Sequence, residues 1–166
     1  MTQSDSKEPD GKISVAFVCL GNICRSPMAE AVFTSIVKDL GKSHYFKRID
    51  SFGTGAYHTG EDPDHRSVAT CKRHGVPVCH KAQQIKPKHF HEFEYIIAMD
   101  SSNKANLLRI KPQGSKAIVK MFGEWRTDSS YGEIVEDPYY GGSSGFERNY
   151  NQICHFSNEF LKQELS

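Results

Sequence analysis

From Ile13 to Cys19 the chain runs Ile-Ser-Val-Ala-Phe-Val-Cys, β-branched and aromatic residues with almost no polar break, a pattern that predicts a strand buried on both faces. The run ends in the glycine-containing turn Leu20-Gly21-Asn22-Ile23-Cys24-Arg25. Ser26-Pro27 then opens a helix, with a hydroxyl at the N-cap and proline at the first helical position. Met28, Ala31, Val32, Ile36 with Val37, and Leu40 fall on one face at helical spacing, and Gly41 is placed to end the helix.

The alternation continues. Tyr45 to Phe52 reads as a second strand, followed by the loop Gly53-Thr54-Gly55 and a helix from Asp64 to His74. Phe93 to Met99 is a third, strongly apolar strand, followed by a helix over Ser101 to Ile110; Asp100 before it suits a helix N-cap or a turn. Ala117 to Phe122 is a weaker fourth strand. A turn-rich stretch, Thr127 to Ser144, leads to a last helix with the capping box Ser144-x-x-Glu147 and the apolar stripe Phe146, Tyr150, Ile153, Phe160/Leu161 and Leu165. Strands alternating with helices imply an α/β fold of three layers, a parallel sheet with helices on both faces.

Composition narrows the function classes. The 166 residues suit one domain, and no repeat or linker divides them, so residues 12–166 are expected to form it, after a disordered lead-in over 1–11. With 21 Lys+Arg against 20 Asp+Glu the net charge is +1, which speaks against a global electrostatic grip on nucleic acid or anionic membrane. The longest apolar run, Val15 to Leu20, is far short of the roughly 20 residues that cross a bilayer. The first residues carry no secretory signal, so the expected location is cytoplasmic. Five cysteines, an odd number spread along the chain, predict reduced thiols rather than a disulfide scaffold.

Any anion must therefore be held by a built site, and the end of the first strand is where one is expected. Open parallel sheets bind ligands beyond the carboxyl ends of their strands, where a loop passes into a helix whose first N–H groups are unpaired. Cys19 stands at that point, and a helix N-terminus with a nearby guanidinium, here Arg25, favours the thiolate of a cysteine placed there. Arg25 can hold two phosphate oxygens, Gly21 and Asn22 suit positive φ, and Ser26 can cap the helix, donate to the sulfur, or do both. With five Cys and seven Arg, roughly 0.2 chance pairs are expected at any one spacing, so it is the strand, loop and helix around the pair that give it weight. A thiolate in a phosphate cradle is the chemistry of a nucleophilic phosphatase.

The string Val-Cys-Leu-Gly-Asn-Ile-Cys-Arg-Ser-Pro-Met-Ala-Glu-Ala-Val-Phe (18–33) resembles the signature of the low-molecular-weight protein tyrosine phosphatases, and Glu136-Asp137-Pro138-Tyr139-Tyr140-Gly141 resembles their acid loop. Ile49-Asp50-Ser51, His80-Lys81-Ala82 and Met99-Asp100-x-x-Asn103 match family landmarks in the same order. The resemblance implies a four-stranded parallel sheet, with the phosphate-binding loop between first strand and first helix, and a phosphatase or acid phosphatase that needs no metal or cofactor and works through a phosphocysteine. It implies Cys19 as nucleophile, Arg25 as the phosphate-binding and transition-state-stabilising group, and Asp137 as general acid and then base. Leu20, Gly21, Asn22, Ile23, Cys24 and Ser26 would form the loop, with Asn22, Ser26, Ser51 and His80 as its supporting network. Leu20, Ile23, Tyr57, Tyr139 and Tyr140 would wall the slot for an aromatic phosphoester; Tyr57 stands where members often have Trp. Cys24 would be the redox partner of Cys19, and Cys71, Cys79 and Cys154 would be structural. Implied partners are phosphotyrosine proteins and small aryl phosphates, with phosphate and other oxyanions as inhibitors, acting on a monomer or weak dimer.

Two other readings use the same loop. A thiol-coupled arsenate reductase would need two relay cysteines, for which Cys71 and Cys79 are the pair available; a non-catalytic phosphate-binding redox module would be expected to lack the nucleophile or the acid. The pair His89-x-His91 suggests a metal only superficially, since no further Cys or carboxylate stands at ligand spacing.

Overall fold

The computed structural model describes residues 13–139 and 142–165. The lead-in expected over 1–11 lies outside them, as does Tyr140. Four strands, β1 (Ile13–Cys19), β2 (Phe46–Gly53), β3 (Tyr95–Ala98) and β4 (Ile118–Met121), form a parallel sheet in the order β2-β1-β3-β4. Four α-helices follow the strands in turn: α1 (Arg25–Asp39), α2 (His65–Arg73), α3 (Ser101–Ile110) and α4 (Ser143–Leu165). Among the described residues no helix is long and apolar enough to cross a membrane.

β1 is central, and its side chains alternate between two cores. Val15, Phe17 and Cys19 join Met28, Ala29, Val32, Phe33 and Val37 of α1 and Phe146, Ile153, Phe156, Phe160 and Leu161 of α4. Ala16 and Val18 join Phe52, Phe90, Phe93, Ile96, Ala98 and Leu107 on the opposite face. This is why the strand carries Ser14 as its single polar residue. The larger core is tied together by aromatic edges, with Phe33 5.3 Å from Phe17 and 5.5 Å from Phe160, and Trp125 4.9 Å from Phe160, measured between ring centroids. Each such pair adds about 0.5–1.5 kcal/mol beyond its buried area.

Local expectations fail where tertiary contacts decide. In α1 the buried face is centred on Ala29, Val32 and Phe33 rather than on Ala31 and Ile36, which are only partly buried, because the helix packs against both the sheet and α4. Leu40 is 52% exposed, since the helix closes before it. Closure is at Gly41 (φ 69°), where the Gly41 and Lys42 amides donate to the Lys38 and Val37 carbonyls at 3.0 and 2.9 Å, the paired bonds of a glycine C-terminus. Ser26 is not an N-cap: α1 begins at Arg25 without a side-chain cap, and the Ser26 hydroxyl turns inward. Ser144 lies inside α4 rather than before it, and the Glu147 carboxylate accepts from Arg73 and meets His74 instead of closing a capping box.

Strand order places the site. The chain leaves β1 for β2 on one side, then crosses to β3 on the other, so the C-terminal end of β1 is the switch point of the sheet. There Cys19 pairs in register with Gly53, and the Thr54 and Gly55 amides donate to the Cys19 and Leu20 carbonyls, both at 2.9 Å. A Cβ on Gly53 would stand 2.7 Å from the Leu20 oxygen, so glycine is what lets β2 press against the loop.

Candidate active site

The loop after β1 turns on Asn22, the one non-glycine residue with positive φ (59°) among the described residues. That backbone costs about 1–2 kcal/mol for an ordinary L-residue, and four side-chain hydrogen bonds hold it. Asn22 Nδ2 donates to Ser26 Oγ (2.7 Å) and Ser51 Oγ (3.1 Å). Asn22 Oδ1 accepts from the Gln83 amide (2.9 Å) and lies 2.7 Å from His80 Nε2. Gly21, by contrast, does not use positive φ; a Cβ there would stand 3.0 Å from the ring of His58, so its role is to leave room for that ring.

These bonds gather donors around one sulfur. Cys19 Sγ accepts from the Asn22 amide at 3.2 Å and lies 3.1 Å from Ser26 Oγ, whose hydroxyl can also donate to the Phe52 carbonyl at 3.2 Å. The amides of Gly21, Ile23 and Cys24 donate to no group among the described residues, and all three residues line the cleft over Cys19. Unspent N–H groups at the mouth of a helix are an anion cradle.

Arg25 is 3% exposed and is pinned from behind through Nη1, which donates to Asp100 Oδ2 (2.6 Å) and the Val135 carbonyl (3.0 Å). Burial opposes its charge, yet Cys19, Asp100 and Asp137 around it hold the guanidinium above its ordinary value. Its Nη2 lies 3.8 Å from Asp137 Oδ2. Asp100 also caps α3, its Oδ1 accepting from the Asn103 amide at 2.7 Å, so the helix N-terminus and the guanidinium share one carboxylate. Asp137 Oδ1 accepts from the Tyr139 amide at 3.0 Å, which makes the Asp-Pro turn self-supporting and leaves Oδ2 toward Arg25.

The cleft encloses about 380 Å³. Cys19, Cys24 and Arg25 line it with Asp137, Leu20, Ile23, Tyr57, His58 and Tyr139. Tyr57 is 75% exposed at its mouth. Tyr139 is steadied by Arg66, whose guanidinium lies 5.3 Å from its ring and 4.9 Å from that of Phe146 while pairing in parallel with Asp64. Cys24, at the end of the loop, is buried, and burial, with Asp64 and Cys19 nearby, pushes its thiol up to about 12.

Behind the loop, Ser51 Oγ donates to Glu30 Oε1 (2.7 Å) and lies 3.2 Å from His80 Nε2. Burial, with Asp50 adding to it, pushes Glu30 up to about 7 against the Ser51 hydrogen bond, and burial lowers His80. The structure thus brings together Cys19, Asn22, Arg25, Ser26, Ser51, His80 and Asp137. It adds Glu30, Gln83 and Asp100, which sequence reasoning left out of the site; only Asp100, a carboxylate at the end of a strand, carried a local signal.

The remaining thiols separate. Cys71 is wholly buried and Cys154 half-buried beside Tyr150, whereas Cys79 is exposed rather than packed in a core. Neither Cys71 nor Cys79 lines the cleft that holds Cys19, as a reductase relay would require. His89 is buried and its Nδ1 accepts from the Lys86 amide at 2.9 Å, closing a short 3₁₀ turn.

The sequence model of a family described as "Low molecular weight phosphotyrosine protein phosphatase" matches residues 14–166. A protein of that name from Saccharomyces cerevisiae is 57% identical over 155 residues, which is 93% of this chain and 96% of the yeast protein. Its human namesake is 45% identical over 152 residues, covering 90% and 94% of the two chains. Among solved structures, a protein tyrosine phosphatase from Entamoeba histolytica with Hepes in its active site superposes with a TM-score of 0.86 at 32% identity, over 93% of this chain and all of that one (100%).

Proposed function

The chain belongs to the low molecular weight phosphotyrosine protein phosphatase family, and from that premise we propose that it hydrolyses phosphotyrosine and small aryl phosphate monoesters through a phosphocysteine. The observation that carries this reading is the convergence on one cleft of a thiol ringed by donors, a buried guanidinium and a carboxylate 3.8 Å from it.

The phosphoryl oxygens of the substrate sit against the unspent loop amides and Arg25. Cys19 attacks phosphorus in line with the leaving oxygen, which takes a proton from Asp137 as the P–O bond breaks. Asp137 then takes a proton from water as it attacks the phosphocysteine, releasing phosphate and restoring the thiolate. Arg25 answers the charge spread over the equatorial oxygens in both steps, and because Asp100 and the Val135 carbonyl fix it beforehand, no reorganisation is needed. Asn22, Ser26, Ser51 and His80 hold the loop in this shape. Leu20, Ile23, Tyr57 and Tyr139 offer the aromatic ring of the substrate a wall on either side.

We place this activity in one domain over residues 12–166, in the cytoplasm, as a monomer or weak dimer acting on phosphotyrosine proteins, with phosphate and other oxyanions competing for the cradle. Rapid quenching during turnover of an aryl phosphate should trap one phosphoryl group per chain on the peptide that holds Cys19. Absence of label during steady turnover would overturn the covalent route.

Cys24 is proposed as the redox guard. Peroxide converts the Cys19 thiolate to a sulfenic acid, and attack by the Cys24 sulfur expels hydroxide, which leaves as water, to form a disulfide. Since the Cys24 thiol titrates only near about 12, disulfide formation should quicken with rising pH through the neutral range. Peroxide-inactivated wild type should regain activity with a thiol reductant, whereas Cys24→Ser should overoxidise and recover only in part. Full recovery of that variant would remove the guard role.

A further inference from the structure

A second constellation lies behind the phosphate-binding loop, and neither the attack nor the proton transfers use it. Glu30 of α1, Asp50 of β2 and His80 each offer a ligand atom, and the three atoms lie within 4.8 Å of one another. One imidazole and two carboxylates are a donor set for a borderline divalent cation, with a coordination position left for water.

Three further observations point to a ligand. The His80 side chain is only 8% exposed, and its Nε2 is spent on Asn22 Oδ1 and Ser51 Oγ, yet its Nδ1 makes no hydrogen bond among the described residues and lies 3.3 Å from Glu30 Oε1. The carboxylates of Glu30 and Asp50 stand close enough to repel each other, and among the described residues the basic groups within ion-pair distance of either are His80 and the half-exposed Arg48. Glu30 and His80 also line a groove of about 440 Å³ between α1 and the segment Gly75–Cys79, so the cluster can be reached from solvent without passing through the cleft. The carboxylates are already aimed: Ser51 Oγ donates to Glu30 Oε1 (2.7 Å), and the Ser51 amide (2.8 Å) and Gln83 Nε2 (3.0 Å) donate to Asp50 Oδ1. Such outer bonds orient metal ligands elsewhere.

We propose that Glu30, Asp50 and His80 form a binding site for a divalent transition-metal ion of the zinc class, held through His80 Nδ1 and the two carboxylates with water completing the coordination. A cation on Nδ1 fixes the ring proton on Nε2, where it donates to Asn22 Oδ1. The ion would thus brace the residue on which the phosphate-binding loop turns, without touching Cys19. The three ligands come from separate elements, so no local spacing announces the site.

The test uses the full chain carrying Cys19→Ser and Cys79→Ser, which removes the two thiols best placed to compete for the metal, and titrates it with Zn²⁺ alone. Calorimetry should show one ion per chain, and ¹⁵N-histidine spectra should show the Nδ1 resonance of His80 shifting with occupancy. Adding Glu30→Gln or Asp50→Asn should weaken binding by about 10- to 100-fold or more and abolish the zinc-dependent rise in melting temperature. Absence of saturable binding, affinity unchanged by both substitutions, or a bound ion that leaves His80 unmoved would each overturn the site. The histidine spectrum needs neither ligand variant, so it decides the matter even if one of them fails to fold.

Discussion

Replacing Cys19 by serine should lower turnover of an aryl phosphate by at least about 10⁴-fold while leaving inorganic phosphate binding within a few-fold of wild type. Removing the nucleophile of a covalent enzyme costs on this scale, and what survives comes from the remaining binding groups. Here those groups have anchors besides the sulfur. Arg25 is fixed by Asp100 and the Val135 carbonyl, and Asn22 is held by Ser26, Ser51, Gln83 and His80, so the cradle keeps its shape when Sγ becomes Oγ. Serine is uncharged at neutral pH, and its hydroxyl would sit among groups arranged to donate rather than to take its proton. Steady-state rates and calorimetric titration with phosphate check both halves of the expectation. Turnover within tenfold of wild type would remove Cys19 from the role of nucleophile; loss of phosphate binding together with turnover would mean that the sulfur shapes the cradle.

The parts of this molecule that could be read along the chain are those whose cause is local. β1 is an almost wholly apolar run because both of its faces are covered, and α3 starts where Asp100 accepts from the Asn103 amide, so both match expectation closely. The short 3₁₀ turns at Pro87–His91 and Phe122–Trp125 carry no sequence signal, because four or five residues are too few to show a period. The buried face of α1 departs from its sequence stripe because two partners, sheet and α4, share it. In the site, Cys19 and Arg25 were legible as neighbours of one loop. The approach of Asp137 to Arg25 follows only from family resemblance, and no local pattern signals the pairing of Asp100 with Arg25 or of Glu30 with Ser51, since crossings of separate elements bring these side chains together. Ser26 shows the same limit within a single residue. Its sequence context fits a cap, and its position above the β1 switch point makes it a partner of the sulfur instead.

Asp137→Ala should leave the fold and the cradle intact and slow hydrolysis by about 10²–10⁴-fold, the range for loss of a positioned general acid. The carboxylate is 45% exposed and its contact with Arg25 is 3.8 Å, so its removal should change stability by no more than about 1 kcal/mol. The loss should depend on the substrate in a way that a misfolded loop would not produce. An aryl oxygen that leaves readily as an anion needs little protonation, so a nitrophenyl phosphate should lose least and phosphotyrosine most, steepening the dependence of kcat/KM on leaving-group basicity. Asp137 is proposed to act twice, as acid and then as base, so the single-turnover release of phosphate from the trapped phosphocysteine should slow as well. Activated substrates measured against phosphotyrosine separate the first role, and decay of the trapped intermediate separates the second. Near-normal rates with phosphotyrosine would remove Asp137 from the role of acid, and normal decay of the intermediate would assign activation of water to another group lining the cleft, for which His58 is a titratable candidate.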